Sequence, residues 1–299
     1  MRMRFKPYAR EELLACPFYA AAPLANRGGW QGRFARPGQP MQLELGCGKG
    51  GFLAALASAH TEVNYLGIDI TDKVLVLAKR KIEAAYAQKG LAPDNVQIMG
   101  LDIERIAGAF SPKDAVSRIY INFCNPWNRK AGHKKHRLTH TRQLTAYRAF
   151  LQDGGEVYFK TDDGPLFDDS LAYFAEAGYD VVWQTRDLHA NEPAWNIRTE
   201  HEAMFTAEGI PTKALIAQKR AVSEAELAAG KERAAELEQT AFAAIAAEQA
   251  GRGDVVLFQS PMRPDSLRRL ADAVGKACGG LGAVFSGEGE TWSYALVRS

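Results

Sequence analysis

From residue 41 onward, short apolar runs alternate with stretches of helical spacing. MQLEL (41–45) is a brief apolar run that stops at Gly46, and GFLAALASAH (51–60) gathers apolar residues at helical intervals. NYLGIDI (64–70) predicts a second strand. The segment 71–90 predicts a long helix, with Thr71 as its N-cap and Gly90 suited to its end. NVQIMG (95–100), SRIYINF (117–123) and GEVYFK (155–160) read as further strands, with a helix near 141–151. PLFDDSLAYFAEAG (165–178) is an amphipathic helix, and YDVVWQ (179–184) another strand. Strands alternating with helices in this way predict parallel βαβ units in a doubly wound α/β sheet.

The pattern changes after residue 220. Residues 221–250 hold 12 alanines and open with Ser223 and Glu226 in capping-box spacing, which predicts a helix. Gly251 to Gly253 ends it. DVVLFQS (254–260), a helix near 265–278 and two strand-like pieces after Gly282 then predict a small α+β appendage. No internal repeat or low-complexity tract interrupts the chain.

Composition narrows the class. With 299 residues, 46% hydrophobic and 24% charged, the chain can bury a sizeable core and is neither disordered nor collagenous. No apolar run is long enough to span a membrane. The basic start MRMRFKPYAR leads into no apolar stretch of a secretory signal. Cys16, Cys47, Cys124 and Cys278 are far apart and form no CxxC pair. They read as free thiols of a reducing, cytoplasmic protein, without a disulfide framework or a cysteine zinc site.

A formal net charge of +2 conceals an asymmetry. Residues 221–299 carry 8 basic and 11 acidic side chains, which leaves 29 basic and 24 acidic in the first 220 residues. Between Asn128 and Arg148 there are seven Lys/Arg, three His and no acid.

Gly46-Cys47-Gly48-Lys49-Gly50-Gly51 falls where the first strand turns into the first helix, and glycines there let a ligand approach the backbone. Gly46, Gly48 and Gly51 satisfy the dinucleotide GxGxxG. Glu44, Gly46, Gly48 and Gly50 equally satisfy the E-x-G-x-G-x-G of methyltransferases. A purely structural glycine turn is the third reading. Asp69, ending the second strand, can accept from a ribose diol in either ligand reading. Glu44 discriminates, because a carboxylate beside the turn repels a pyrophosphate but suits the ammonium and sulfonium of S-adenosylmethionine. Asp102, after the third strand, adds an acceptor for an adenine amine.

At Asn122-Phe123-Cys124-Asn125-Pro126-Trp127, followed by the basic stretch and Arg137-Leu138-Thr139-His140, the chain resembles the bacterial tRNA (guanine-N7)-methyltransferase family. MRMRFKPYA, LELGCGKGGF, Lys160-Thr161-Asp162, and Thr199-Glu200-His201-Glu202 after Asp187-Leu188-His189 add to the likeness, which runs from residue 1 to about 218. The resemblance implies a Rossmann-like class I fold that transfers a methyl group from S-adenosylmethionine to guanine N7 in tRNA, at position 46 of the variable loop. It assigns the cofactor to Glu44, Asp69, Asp102 and Asn125, beside the turn glycines Gly46 and Gly48, and the guanosine or tRNA to Arg129, Asp162 and the run Thr199, Glu200, His201 and Glu202. With the residue pattern, the chain is expected to divide into a basic N-terminal arm (1–40), the methyltransferase domain (41–218), an Ala-rich helical connector (219–253) and, outside the usual family, the appendage (254–299).

Three departures stand out. Asn125 occupies the place where the family often has an acidic residue treated as catalytic. Asn128 replaces the second Pro of PWPK, and the basic loop is one residue longer, so Arg129 is aligned only to within a position. The chemistry tolerates Asn125, since guanine N7 has an in-plane lone pair and no proton to remove. Asn125 is then expected to position by hydrogen bonding and not to act as acid or base.

Asp162, Glu200 and Glu202 could accept from guanine N1 and N2; the plainer alternatives are a turn before Asp163-Gly164 and solvated glutamates on an exposed strand. Lys130, Lys134, Lys135 and Arg137, with Arg129, read as a phosphate-contacting patch. Trp127 reads as a base stacker or as packing. His133, His136 and His140 lack partners at ligand spacing and are assigned to the RNA surface or solvent, with no metal expected. Arg2, Arg4 and Lys6 form a second contact on a mobile arm.

The segment 265–296 is similar to the C-terminal domain that follows alanyl-tRNA synthetases and DHH-type phosphoesterases, without that domain's later glycine-rich run. Its acidic balance argues against broad phosphate contact, although Arg263, Arg268 and Arg269 could form a local patch; dimerisation and packing on the enzyme are the alternatives. The expected partner is tRNA, the protein being a monomer or homodimer with no membrane role. Two rival functions remain. Asn125-Pro126-Trp127 is similar to the Asn-Pro-Pro-aromatic motif of methyltransferases acting on exocyclic amines, with one Pro missing. A non-catalytic RNA-binding module on a vestigial cofactor fold is the other.

Overall fold

Met41–Leu45 is apolar on both sides apart from Gln42 and Glu44, and all but Gln42 are buried, as a central strand covered on both faces requires. It is β1 of the computed structural model, which describes residues 7–128, 131–221, 224–260, 262, 264–288 and 291–298. The chain divides into two units, residues 1–221 and 222–299.

In the first unit, α1 (Ala9–Leu14) precedes β1. There follow α2 (Gly51–Ala59), β2 (Asn64–Asp69), α3 (Asp72–Gln88), β3 (Val96–Gly100), the single turn α4 (Ile106–Ala109) and β4 (Val116–Asn122). Then come α5 (Thr141–Arg148), β5 (Leu151–Thr161), α6 (Gly164–Glu176), β6 (Tyr179–Thr185), α7 (Glu200–Ala207) and β7 (Lys213–Lys219). The seven strands form one sheet in the order β3-β2-β1-β4-β5-β7-β6. Strands β1 to β5 run parallel, whereas β7 is antiparallel to both β5 and β6. This is a doubly wound Rossmann-like sheet, with an antiparallel strand inserted near one edge.

Side-chain alternation sorts the core into two layers. Leu43, Leu45, Ile119, Ile121, Val157 and Phe159 face one side and pack with Leu144, Tyr147, Phe167 and Phe174 of α5 and α6. Tyr65, Ile98 and Tyr120 face the other, against Phe52, Leu53 and Leu56 of α2 and Leu75, Val76, Ile82 and Tyr86 of α3. Glu44 belongs to this second face, paired with Gly67 on β2 and Tyr120 on β4. Gly67 makes room there, because a Cβ would lie 2.4 Å from Leu53 Cδ2 and force that buried side chain to shift.

Two expectations, on residues 1–40 and on the Ala-rich segment, are corrected, and the expected N-cap of α3 holds in position. Residues 1–40 do not form a separate arm from Ala9 onward. Leu13, Phe18 and Trp30 are buried, Trp30 Nε1 donates to the Ala109 carbonyl at 2.8 Å, and Tyr19 bridges to Ile98 at the β3 edge. Arg2, Arg4 and Lys6 lie outside the described residues. Thr71 holds the N-cap position of α3, but its hydroxyl makes no capping bond and points to Asp69 Oδ1 at 3.4 Å. The Ala-rich segment is α8 (Glu224–Ala247), whose Phe242, Ile245 and Ala246 belong to the core of the second unit and so make it more than a connector. Ser223, its expected cap, lies outside the described residues.

The second unit continues with β8 (Val255–Gln259), α9 (Pro264–Cys278), β9 (Leu281–Glu288) and β10 (Thr291–Arg298), in the sheet order β10-β9-β8. β8 and β9 are parallel and joined through α9, and β10 returns antiparallel to β9. Leu267, Leu270, Ala271, Val274 and Cys278 of α9 form its buried side.

Candidate active site

The strand order reverses between β1 and β4, so a crevice opens outside the carboxyl ends of these strands, where open α/β sheets place their ligands. Gly46, Gly48 and Gly50 turn the chain there with φ of 78°, 53° and 73°, a region costly for side-chain-bearing residues. Gly50 is constrained twice, since a Cβ would lie 2.6 Å from Ala78 Cβ on α3. The amides of Gly46 and Cys47 donate to the Ile68 carbonyl at 2.8 and 2.9 Å, which ties the turn to the end of β2. Gly48 N–H donates to Asp69 Oδ2 at 3.1 Å, while Thr71 N–H donates to Oδ1 at 3.1 Å.

Two clefts meet at this turn and share Gly46, Asn122 and Phe123. The first, about 280 Å³, adds Glu44, Gly48, Gly50, Phe52, Thr199, Glu200 and His201. The second, about 320 Å³, adds Asp69, Asp102, Asn125, Trp127, His136 and Leu138. The expected cofactor residues Glu44, Gly46, Gly48, Asp69, Asp102 and Asn125 are thus distributed over the two adjoining clefts.

Glu44 is 4% exposed, and Asn122 Nδ2 donates to its Oε1 at 3.1 Å. Its Oε2 and the Oδ1 of Asn122 are buried without any hydrogen-bond partner. Burial pushes the Glu44 carboxyl up to about 7, against the opposing pull of Asn122 and the Lys160 ammonium. Two buried oxygens without partners beside a glycine turn suit polar groups from outside the chain, since each costs about 1–3 kcal/mol if left bare.

On the other side of the turn, Asp102 caps the short turn Ile103–Arg105 by accepting from Glu104 N–H at 3.0 Å. Asn125 is exposed, and its Oδ1 accepts from Trp127 N–H at 3.0 Å. Phe123 and Trp127 flank it in the left-handed region, with φ of 51° and 48°. Such strain persists only where surroundings over-determine it. Arg137 supplies that constraint. Its side chain is fully buried, with Nε donating to the Pro126 carbonyl at 2.7 Å, Nη2 to Asn128 Oδ1 at 2.8 Å, and Nη1 to Asp169 of α6. Arg137 therefore leaves the expected phosphate-contacting patch and becomes a pin beneath the 123–128 loop.

The rest of the basic stretch divides. Lys134 pairs with Asp169 at 2.7 Å, and Lys134 and Arg137 together hold that carboxyl below its usual range. Lys135 is exposed, with no ion pair among the described residues. Arg129 and Lys130 lie outside the described residues. Trp127 is 37% exposed and stands 5.3 Å from the His136 ring and 6.0 Å from that of His133. His136 meets Glu104, which Arg142 also binds at 2.8 Å, and His140 Nδ1 accepts from Arg142 N–H at 3.2 Å to cap α5.

Thr199 and Glu202 form a reciprocal capping box at the start of α7, not part of an exposed strand. Glu202 is fully buried. Its carboxylate accepts from Lys160 Nζ at 2.7 Å, Asn196 Nδ2 at 2.6 Å and Thr199 N–H at 3.1 Å. This occupies the group expected to read the base, and gives it the role of holding α7. Glu200 is exposed, lines the first cleft and pairs with Lys81 of α3. Asp162 is half-buried beyond β5, its carbonyl accepting from Lys213 at 3.0 Å, and lines neither cleft; the helix cap is Asp163, which accepts from Leu166 N–H at 2.7 Å. His189, Glu192 and Glu202 bring ligand-type atoms within 4.8 Å of one another, but Lys160 and Arg198 already neutralise the two carboxylates.

Sequence reasoning gave no role to Asn122 or Lys160. Asn122 and Lys160 pair across β4 and β5 on the face that carries Glu44, and a polar residue ending the run RIYIN was the available signal. His201 stacks on Phe123 at 5.8 Å, a contact no spacing announces.

Residues 38–215 match the family model described as a putative methyltransferase. A tRNA (guanine-N(7)-)-methyltransferase of Clostridium perfringens (strain SM101 / Type A) is 54% identical over 219 residues, covering 73% of this chain and 100% of that protein. Another, from Clostridium beijerinckii (strain ATCC 51743 / NCIMB 8052), is 52% identical over 219 residues, covering 73% of this chain and 99% of that one. Among solved structures, the antibiotic-resistance methyltransferase Kmr is 18% identical with a TM-score of 0.41, over 68% of this chain and 92% of that one.

Proposed function

The chain belongs to the bacterial tRNA (guanine-N7)-methyltransferase family, and from that premise we propose that it methylates N7 of guanine 46 in the tRNA variable loop through the groove around Gly46. The family's methyl donor is S-adenosylmethionine, which supplies an electrophilic methyl on a sulfonium. The observation that carries the reading of the groove is the buried, unpartnered Oε2 of Glu44 beside the glycine turn. The donor set fits. Glu44 and the orphaned Oδ1 of Asn122 suit the ammonium-bearing end of that molecule, Asp69 a ribose diol, and Asp102 an adenine amine.

This assignment has a pH signature. In the ligand-free protein Glu44 is protonated below about 7, and the stability this gives is lost as pH rises from the ordinary carboxyl range through 7. A cationic ligand favours the carboxylate, so donor affinity rises as pH is raised from 6 to 7.5. Glu44→Gln abolishes that slope and weakens binding at pH 7.5 by roughly 10- to 100-fold. Calorimetric titration of the donor analogue S-adenosylhomocysteine, whose amino end is the same, measures both; an unchanged slope in Glu44→Gln refutes the placement.

Guanine N7 attacks through a lone pair that carries no proton, so no residue has to act as a base. What the chain provides is alignment and a groove that tolerates positive charge developing on the ring. Asn125 stands at the second cleft with its Oδ1 held by Trp127 N–H, which leaves its amide N–H groups to orient the base or the donor. Asn125→Ala is expected to lower kcat about tenfold, with the pH–rate profile unchanged in shape. Wild-type turnover in that variant is the contrary result. Position 46 is tested with tRNA transcripts: the wild-type transcript accepts labelled methyl, and one carrying adenine at 46 accepts none.

A further inference from the structure

Among the described residues of the second unit, no element covers one face of its sheet. α9 packs on the opposite face and α8 packs behind α9. On the open face, register places Phe258, Phe285 and Tyr294 in one row across the three strands, and Val256 and Leu296 flank the neighbouring row. Trp292 stands one row beyond Tyr294 on β10. The rings are continuous: Phe258 stacks on Phe285 at 5.4 Å and 22°, Phe285 meets Tyr294 at 5.9 Å, and Trp292 meets Phe258 edge-on at 5.7 Å.

These are among the most exposed large apolar side chains of the protein. Phe258 is 66% exposed, Tyr294 64%, Val256 59%, Leu296 53% and Trp292 45%. Taking 150–250 Å² for a full aromatic, they present on the order of 600 Å² of contiguous surface, at the upper limit for a monomer. A stable complex needs about 800 Å² per partner, so these five side chains supply most of one half.

Charge decides the occupant. Alternation places Arg298 as the only charged side chain of β10 on this face, and β8 and β9 place none there among the described residues. The unit as a whole is acidic, with 8 basic against 11 acidic residues after position 220. A polyphosphate partner would be held by few cations and repelled by the rest. A flat, nearly neutral apolar face is complementary to itself. We propose that two copies of the chain associate through this face, sheet on sheet about a two-fold axis, with the Phe258–Phe285–Tyr294 rows interdigitated.

Sedimentation of the full-length chain across the micromolar range tests this. Wild type is expected to be a dimer, and the double variant Phe258→Asp/Tyr294→Asp a monomer, with dimer affinity reduced at least 100-fold. The gentler Phe258→Ser/Tyr294→Ser pair is expected to weaken the dimer in the same direction, with circular dichroism unchanged in both because the side chains are exposed in each protomer. A wild-type monomer, or a dimer that survives both pairs of substitutions, overturns the proposal. A wild-type monomer whose tRNA affinity falls in the Ser variant overturns it in favour of an RNA-stacking platform.

Discussion

Lys160→Met lowers the stability of the first unit by about 3–5 kcal/mol, because it strands a buried carboxylate. Lys160 is 4% exposed, and its ammonium donates to Asn196 Oδ1 at 2.9 Å, the Ile197 carbonyl at 3.0 Å and Glu202 Oε2 at 2.7 Å. Burial already lowers its pKa, against the attraction of Glu202. Methionine keeps most of the stem but removes every donor, together with the ammonium that sits 5.3 Å over the Phe52 ring. Glu202, with no exposed surface, would retain the Asn196 amide and the Thr199 N–H, with His189 Nε2 standing 3.4 Å from its Oε1. A loss of this size corresponds to a fall of roughly 10 °C in thermal midpoint. Replacing both partners, as Lys160→Met with Glu202→Gln, is expected to recover most of it, since the desolvated charge is gone. Thermal and urea denaturation of the three variants measure the cycle. A loss below 1 kcal/mol in Lys160→Met would mean that Glu202 is not held as an ion pair. Donor-dependent activity is expected to fall as well, because α7 presents Thr199, Glu200 and His201 to the first cleft.

The second large effect is on rate. Arg137→Met removes the three bonds that fix Pro126, Asn128 and Asp169, while Lys134 still covers the Asp169 carboxylate. No isolated buried charge is left, so the stability cost is smaller than at Lys160, about 2–3 kcal/mol. The loop between Phe123 and Trp127 then loses the contact that holds two residues at positive φ, and Asn125 moves with it. A displacement of about 1 Å of a positioning group is worth on the order of 100-fold in rate. The expectation is therefore a 100-fold lower kcat with little change in donor affinity, and no rescue by raised salt. If Arg137 instead contacts phosphate, KM for tRNA and its salt dependence change while kcat holds.

The parallel half of the sheet was legible because its strands are short, apolar and bounded by turn residues. β1 and the ends of α2 and α3 fall within a residue or two of where spacing put them. β7 was not read from KALIAQK, since a brief apolar run between lysines does not announce that it inserts antiparallel between β5 and β6. The order within residues 7–40 escaped because α1 has six residues and the helical turns after it, Pro23–Asn26 and Trp30–Arg33, have four each, too few to show a period.

At the candidate site, the placement of Glu44 and the glycines at the end of β1 was legible because it is local to one turn. Arg137 was misread for the opposite reason. Its partner Asp169 lies on α6, far along the chain, and nothing in a basic run separates the one buried guanidinium from its solvated neighbours. The Thr199–Glu202 capping box was present in the spacing, but a resemblance that assigned both residues to substrate drew attention from it.

The central claim is that the groove around Gly46 directs a sulfonium methyl to guanine N7 without a base. Single-turnover transfer of labelled methyl to unmodified tRNA, run at saturating donor from pH 6.5 to 9 and read by digestion to nucleosides, tests it most directly. The account predicts 7-methylguanosine as the labelled product, formed at a rate flat across that range. Label on an exocyclic amine, an acid limb in the rate, or tRNA bound with no label transferred would contradict it.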